Sequence, residues 1–184
     1  MKKIILMFAA VVMAAGVMSA QDINQATESY NNGAMELQMG NNGAAIEYFQ
    51  SALTMGEALG DEGAELVANC KKAICSAYLS MAKDLYNAKD FEGAVNAFTK
   101  TKEVAEGYGE AEIAEEAAGL IDQTNILKYN TEGKAAMKAK DFPTAIASFN
   151  KVLELDPSNG AVCVQLGQAY MNAGQLDEAI ASLE

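Results

Sequence analysis

Residues 144–152 read TAIASFNKV, and the same arrangement stands at residues 44–52 (AAIEYFQSA) and 93–101 (GAVNAFTKT). Each stretch places a phenylalanine four residues after an alanine: Ala45 and Phe49, Ala94 and Phe98, Ala145 and Phe149. A fourth, EAIASLE at 178–184, carries Ala179 with Leu183 in the Phe place. Small and large residues recurring in register mark a stacked repeat, in which each helical pair buries a face only when a neighbour covers it.

The stretches between these signatures are helical as well. From Leu66 to Leu85 the apolar positions Leu66, Val67, Cys70, Ala73, Ile74, Ala77, Tyr78, Met81 and Leu85 follow three-and-four spacing. A second stripe runs Ile113, Ala117, Leu120, Ile121, Thr124, Leu127. Gly60 is expected to end one helix and Asp61 to cap the next. Asp90, Asp141, Pro157 and Gly174 punctuate the chain, with Pro143 tolerated in a first helical turn and Pro157 stopping the helix that ends in KVLELD. No strand-length run of alternating β-branched residues occurs, so the chain reads as all-α.

These residues resemble the tetratricopeptide repeat, a 34-residue helix–turn–helix with Leu-Gly, Tyr, Ala, Phe and Pro at fixed offsets. The last repeat supplies Leu166, Gly167, Tyr170, Ala179 and Leu183, and the one before it Tyr129, Gly133, Ala145, Phe149 and Pro157. The second supplies Tyr78, Met81, Ala82, Ala94 and Phe98, the first Gly33, Ala45, Phe49 and Ala52. The resemblance implies a right-handed α-solenoid with repeats at about 26–59, 61–107, 110–159 and 160–184. Ala145 to Ala179 spans the expected 34 residues, but Ala45 to Ala94 spans 49 and Ala94 to Ala145 spans 51. The excess reads either as longer first helices in repeats two and three, by roughly 22–26 Å, or as one added helix per gap, broken near 107–110 and 122–125. The last repeat stops at Glu184 early in its second helix. This predicts that the native chain continues, the other cover being a partner or a dimer mate.

Residues 1–20 have the layout of a secretory signal peptide: Lys2 and Lys3, an uncharged run from Ile4, then Ser19 and Ala20. A retained membrane anchor is the other reading of this run. Cleavage after Ala20 leaves residues 21–184 as one helical-repeat domain and takes the formal charge from −12 to −14. No cysteine lies in or just after the segment, which argues against a lipid anchor. The expected location is the periplasm or outer-membrane side of a Gram-negative envelope. A surface this acidic repels nucleic-acid backbones and anionic lipid.

The chain has no histidine, arginine or tryptophan. The commonest general base and metal ligand are therefore missing, and no Gly-rich phosphate loop or Cys-x-x-Cys occurs. Carboxylate pairs such as Glu115 and Glu116 read as solvated helix faces, so no catalytic, cofactor or metal site is expected. Cys70 and Cys75 lie on one helix with backbones roughly 7–8 Å apart, beyond disulfide reach. They and Cys163 read as small buried residues.

In the family, first helices line a concave groove that holds an extended peptide or a partner's helix. The family offsets give a candidate groove of Tyr30, Lys83, Tyr86, Asn87, Asn130, Lys134, Met137, Lys138, Gln165, Gln168 and Met171. Lys83, Lys134 and Lys138 bring positive charge into an acidic protein, which suits a carboxylate-bearing ligand. The family's carboxylate clamp uses other Lys, Asn and Arg positions that this chain does not reproduce. Two functions follow: a non-catalytic protein-interaction scaffold of the cell envelope, or a glycan- or peptide-capturing component of an outer-membrane uptake system. The missing lipid anchor and tryptophan platforms favour the scaffold.

Overall fold

The computed structural model describes residues 20–182. The signal-peptide reading and the Leu183 position fall outside the described residues. Eight α-helices run in order among them: α1 (Ala20–Gln38), α2 (Asn42–Ala58), α3 (Ala64–Asn87), α4 (Phe91–Tyr108), α5 (Ala111–Ala139), α6 (Phe142–Leu155), α7 (Gly160–Asn172) and α8 (Leu176–Ala181). A 3-10 turn, Gly60–Gly63, joins α2 to α3. Each helix packs on the next, and α3 also touches α1 and α5. The result is an all-α solenoid of four helical hairpins, α1–α2, α3–α4, α5–α6 and α7–α8.

The alanine–phenylalanine register builds the hairpins. Phe49, Phe98 and Phe149 are buried to 1% exposure or less. Twelve residues ahead of Ala45, Ala94 and Ala145 stand Gly33, Ala82 and Gly133 on the facing first helices. A Cβ at Gly33 would meet the Phe49 ring at 2.8 Å, and one at Gly133 the Phe149 ring at 2.6 Å. The missing side chain therefore makes room for the ring. Each buried phenylalanine contributes about 1.5–3 kcal/mol by leaving water. The core follows the repeat as a series of clusters, one centred on Phe49 and Ile74, one on Phe98, one on Phe149, Val152 and Leu166.

The first helix of each hairpin closes in one manner. Asn41, Asp90, Asp141 and Gln175 donate their backbone N–H to the carbonyls of Glu36, Leu85, Ala136 and Tyr170 at 2.9–3.0 Å. This six-to-one closure needs a left-handed residue just before the donor. Gly40 and Gly174 supply it at φ 79° and 80°, Lys89 and Lys140 at 63° and 61°. Asp90 and Asp141 then cap the second helices, accepting from Gly93 N at 2.9 Å and Thr144 N at 3.2 Å.

The excess spacing lies in long helices. Helix α3 has 24 residues and α5 has 29, against 13 in α7. The second helices share in it, with 17 residues in α2 and 18 in α4 against 14 in α6. There is no added helix: α5 runs unbroken through residues 122–125, and the break near Gly109 is the junction of α4 and α5. Buried Thr124 holds its place inside α5 by donating its hydroxyl to the Leu120 carbonyl at 2.6 Å. Asp61 does not cap α3. It lies within the 3-10 turn, and α3 starts after Gly63 with no side-chain cap.

Candidate functional site

The first helices α1, α3, α5 and α7 carry the eleven groove residues given by the family offsets, and the structure divides them among separate places. Tyr30 lies beside Asn69, Lys72 and Ser76 in a depression of about 350 Å³ between α1 and α3. Its ring packs on Phe49 with centroids 5.3 Å apart. Tyr86 and Asn87, at the end of α3, share a depression of about 410 Å³ with Lys89, Phe91, Leu127 and Thr131. Lys134, Met137 and Lys138 from α5 meet Gln165 and Gln168 from α7 over Phe149, around a depression of about 280 Å³. Met171 is exposed one helical turn further along α7.

Two of the eleven play other parts. Lys83 bonds Glu116 at 2.8 Å across α3 and α5, so its charge is offset within the protein rather than offered to a ligand. Both groups are about half exposed, and the pair contributes about 1 kcal/mol or less. The Asn130 Oδ1 is buried and receives no hydrogen bond from the protein, as is true of Gln165 Oε1 at the lysine-rich depression. A buried acceptor left without a donor costs about 1–3 kcal/mol.

One face of α5 links these places. Glu112, Glu115, Glu116, Gly119, Leu120 and Gln123 line a further depression of about 400 Å³, followed along the helix by Leu127 and Thr131 and then by Lys134 and Lys138. Family offsets could not give Glu112, Gln123 or Leu127, because the first half of α5 has no counterpart in a 34-residue unit. Their signal in the sequence is the helical stripe itself, in which Leu127 turned out to be 37% exposed rather than core. Among the described residues no group of three or more Cys, Asp or Glu has metal-binding geometry.

The cysteines are free, with Cys70 and Cys75 buried and Cys163 half-buried. Burial pushes the Cys70 thiol up to about 11. Burial, helped by the Glu110 carboxylate, does the same to Cys75. Both are protonated at neutral pH and make poor nucleophiles.

Residues 136–184, from the end of α5 through α8, match the family model of the tetratricopeptide repeat. The C-terminal part of the chain thus carries a tetratricopeptide repeat, and the earlier hairpins are longer than that unit. Such repeats are in general non-catalytic scaffolds for protein–protein interaction, and the fold supports that role. Among solved structures, a crystal structure of MamA protein is similar at 16% identity over 86% of this chain and 88% of its own. The TM-score of 0.29 makes that superposition too loose to carry an argument. Among the described residues no helix is long and apolar enough to cross a membrane.

Proposed function

We propose that this protein is an exported scaffold of the bacterial envelope whose first-helix groove, at its α5–α7 end, holds a segment of a protein partner. The convergence of Lys134, Met137, Lys138, Gln165 and Gln168 over the Phe149 ring carries this reading. Met137 offers adaptable apolar contact. Gln165 and Gln168 bring amide groups of the kind that pair with a peptide backbone. Two lysines free of ion pairs with the described carboxylates give this end an attraction for acidic groups that the rest of an acidic chain repels. Export rests on the leader-like residues 1–20.

The test is affinity capture from the envelope fraction of the source cell, with the mature protein beside a Lys134→Glu, Lys138→Glu variant of equal helicity. A discrete protein recovered by the first and lost by the second is the expected result. Equal recovery by both would move the binding surface away from this groove.

A further inference from the structure

The exposed face of α5 is complementary to its own two-fold image. Its first half carries Glu112, Glu115, Glu116 and Asp122 and no lysine, while its second half carries Lys128, Lys134 and Lys138 against the single carboxylate of Glu132. On the stripe that passes through the three depressions, the charges stand at mirrored positions. A two-fold axis at the level of Asn125 exchanges Glu112 with Lys138 and Glu116 with Lys134. It also exchanges Gly119 with Thr131 and Gln123 with Leu127. Every one of these residues is exposed. An added Cβ at Gly119 would meet nothing within 4 Å, so this point of the stripe is open to an approaching helix. Leu127, an exposed apolar residue, falls beside the axis.

We infer that a second copy of this chain docks on this face, its α5 antiparallel to the first, with the carboxylate end of each helix against the lysine end of the other. The inference deepens the groove reading above and rests on it, since it names the occupant of the surface that contains Lys134 and Lys138. An isologous contact requires that a residue and its partner exchange roles across the axis, and the four charged positions satisfy this at both ends. Glu112 and Lys138 lie roughly 39 Å apart along one helix, well beyond the Debye length of about 8 Å at physiological salt. The two ends therefore do not neutralise each other within one molecule, and each is free to attract the opposite end of a second. Lys83 already holds one oxygen of Glu116. The second oxygen remains available, and Glu115 adds charge at the same end.

Sedimentation equilibrium of the mature protein across a concentration series tests this, with three variants checked for unchanged helicity. Glu112→Lys with Glu116→Lys makes the stripe basic throughout, and Lys134→Glu with Lys138→Glu makes it acidic throughout. Each variant alone should weaken self-association by roughly tenfold or more. The two mixed in equal amounts should form a heterodimer, and the fourfold swap should dimerise again. Raising salt from about 0.05 M to about 0.5 M should weaken the wild-type dimer. A wild-type protein that stays monomeric overturns the inference, as does a dimer indifferent to the reversals or a mixture that fails to associate. If the protein is monomeric and the lysine variant still loses a captured envelope protein, the groove reading stands with another occupant. If neither association is found, both fall.

Discussion

Lys89 and Lys140 hold the same left-handed conformation that Gly40 and Gly174 hold at the matching turns. For a residue with a Cβ this backbone region costs about 1–2 kcal/mol. The six-to-one hydrogen bond that follows each of them forces the conformation regardless. Replacing Lys140 by glycine should therefore stabilise the protein by about 1 kcal/mol, offset in part by the entropy glycine adds to the unfolded chain. Urea denaturation would read this as a higher midpoint at unchanged slope. A lower midpoint would mean that the Lys140 side chain makes contacts worth more than the strain. At this scale the sequence was legible where one residue type answers one local need. Asp90 and Asp141 mark helix boundaries, where the structure shows them as caps, Pro143 sits in a first turn, and the recurring Ala–Phe pairs fill the hairpins. That a lysine would take the left-handed place was not legible, because the demand comes from the turn and not from the residue.

Between α2 and α3 the chain passes through a corner where two glycines meet. A Cβ built on Gly63 would collide with the Gly56 carbonyl, whose carbon would lie 2.8 Å away. Here the obstacle is backbone, which cannot rotate aside as the Phe149 ring at Gly133 can. Gly63→Ala should cost on the order of 3 kcal/mol, enough to lower the thermal midpoint by several degrees in a domain of this size. An unchanged midpoint would show that the corner opens without loss. This approach also explains the misplaced cap. The chain makes a tight turn to bring Gly63 against Gly56, and Asp61 is used up inside that turn. The length of α5 was readable as one of two alternatives, since its stripe is continuous but its middle, Asp122 to Asn125, is made of weak helix formers apart from Gln123. The buried Thr124 hydroxyl bonded to its own helix decides for continuity, and burial of Thr124 is a tertiary fact.

The core is a chain of clusters rather than one centre, so stability is shared along the array, each hairpin supporting its neighbours. The cluster around Cys70 and the one around Cys75 meet at Val104 and Tyr108. Burial raises the protonation range of three side chains in this seam, Cys70 and Cys75 to about 11 and Tyr108 above its ordinary value. The folded state thus keeps protons that the unfolded chain loses from about pH 9 upward. Unfolding then releases protons, so stability falls as pH rises from about 9 to 11 and is unaffected by these thiols below 9. Thermal midpoints should decline over that interval more steeply in the wild type than in a Cys70→Ala, Cys75→Ala variant. Parallel declines would remove the thiols from the account.

The helical content, the hairpin register and the absence of histidine chemistry could be read from residues alone, because they follow from composition, from helical periodicity and from a pattern that recurs in register. The groove could be read only as far as the family unit extends. Lys134, Lys138 and Gln165 fall where the 34-residue pattern puts them and meet in one depression. Lys83 does not stay free, since Glu116, 33 residues away, reaches it only because α3 and α5 are long enough to lie side by side. The exposed stripe of α5 and the mirrored charges on it belong to the packed array. A periodic helix has several possible faces, and only the neighbours packed against it determine which of them meets solvent.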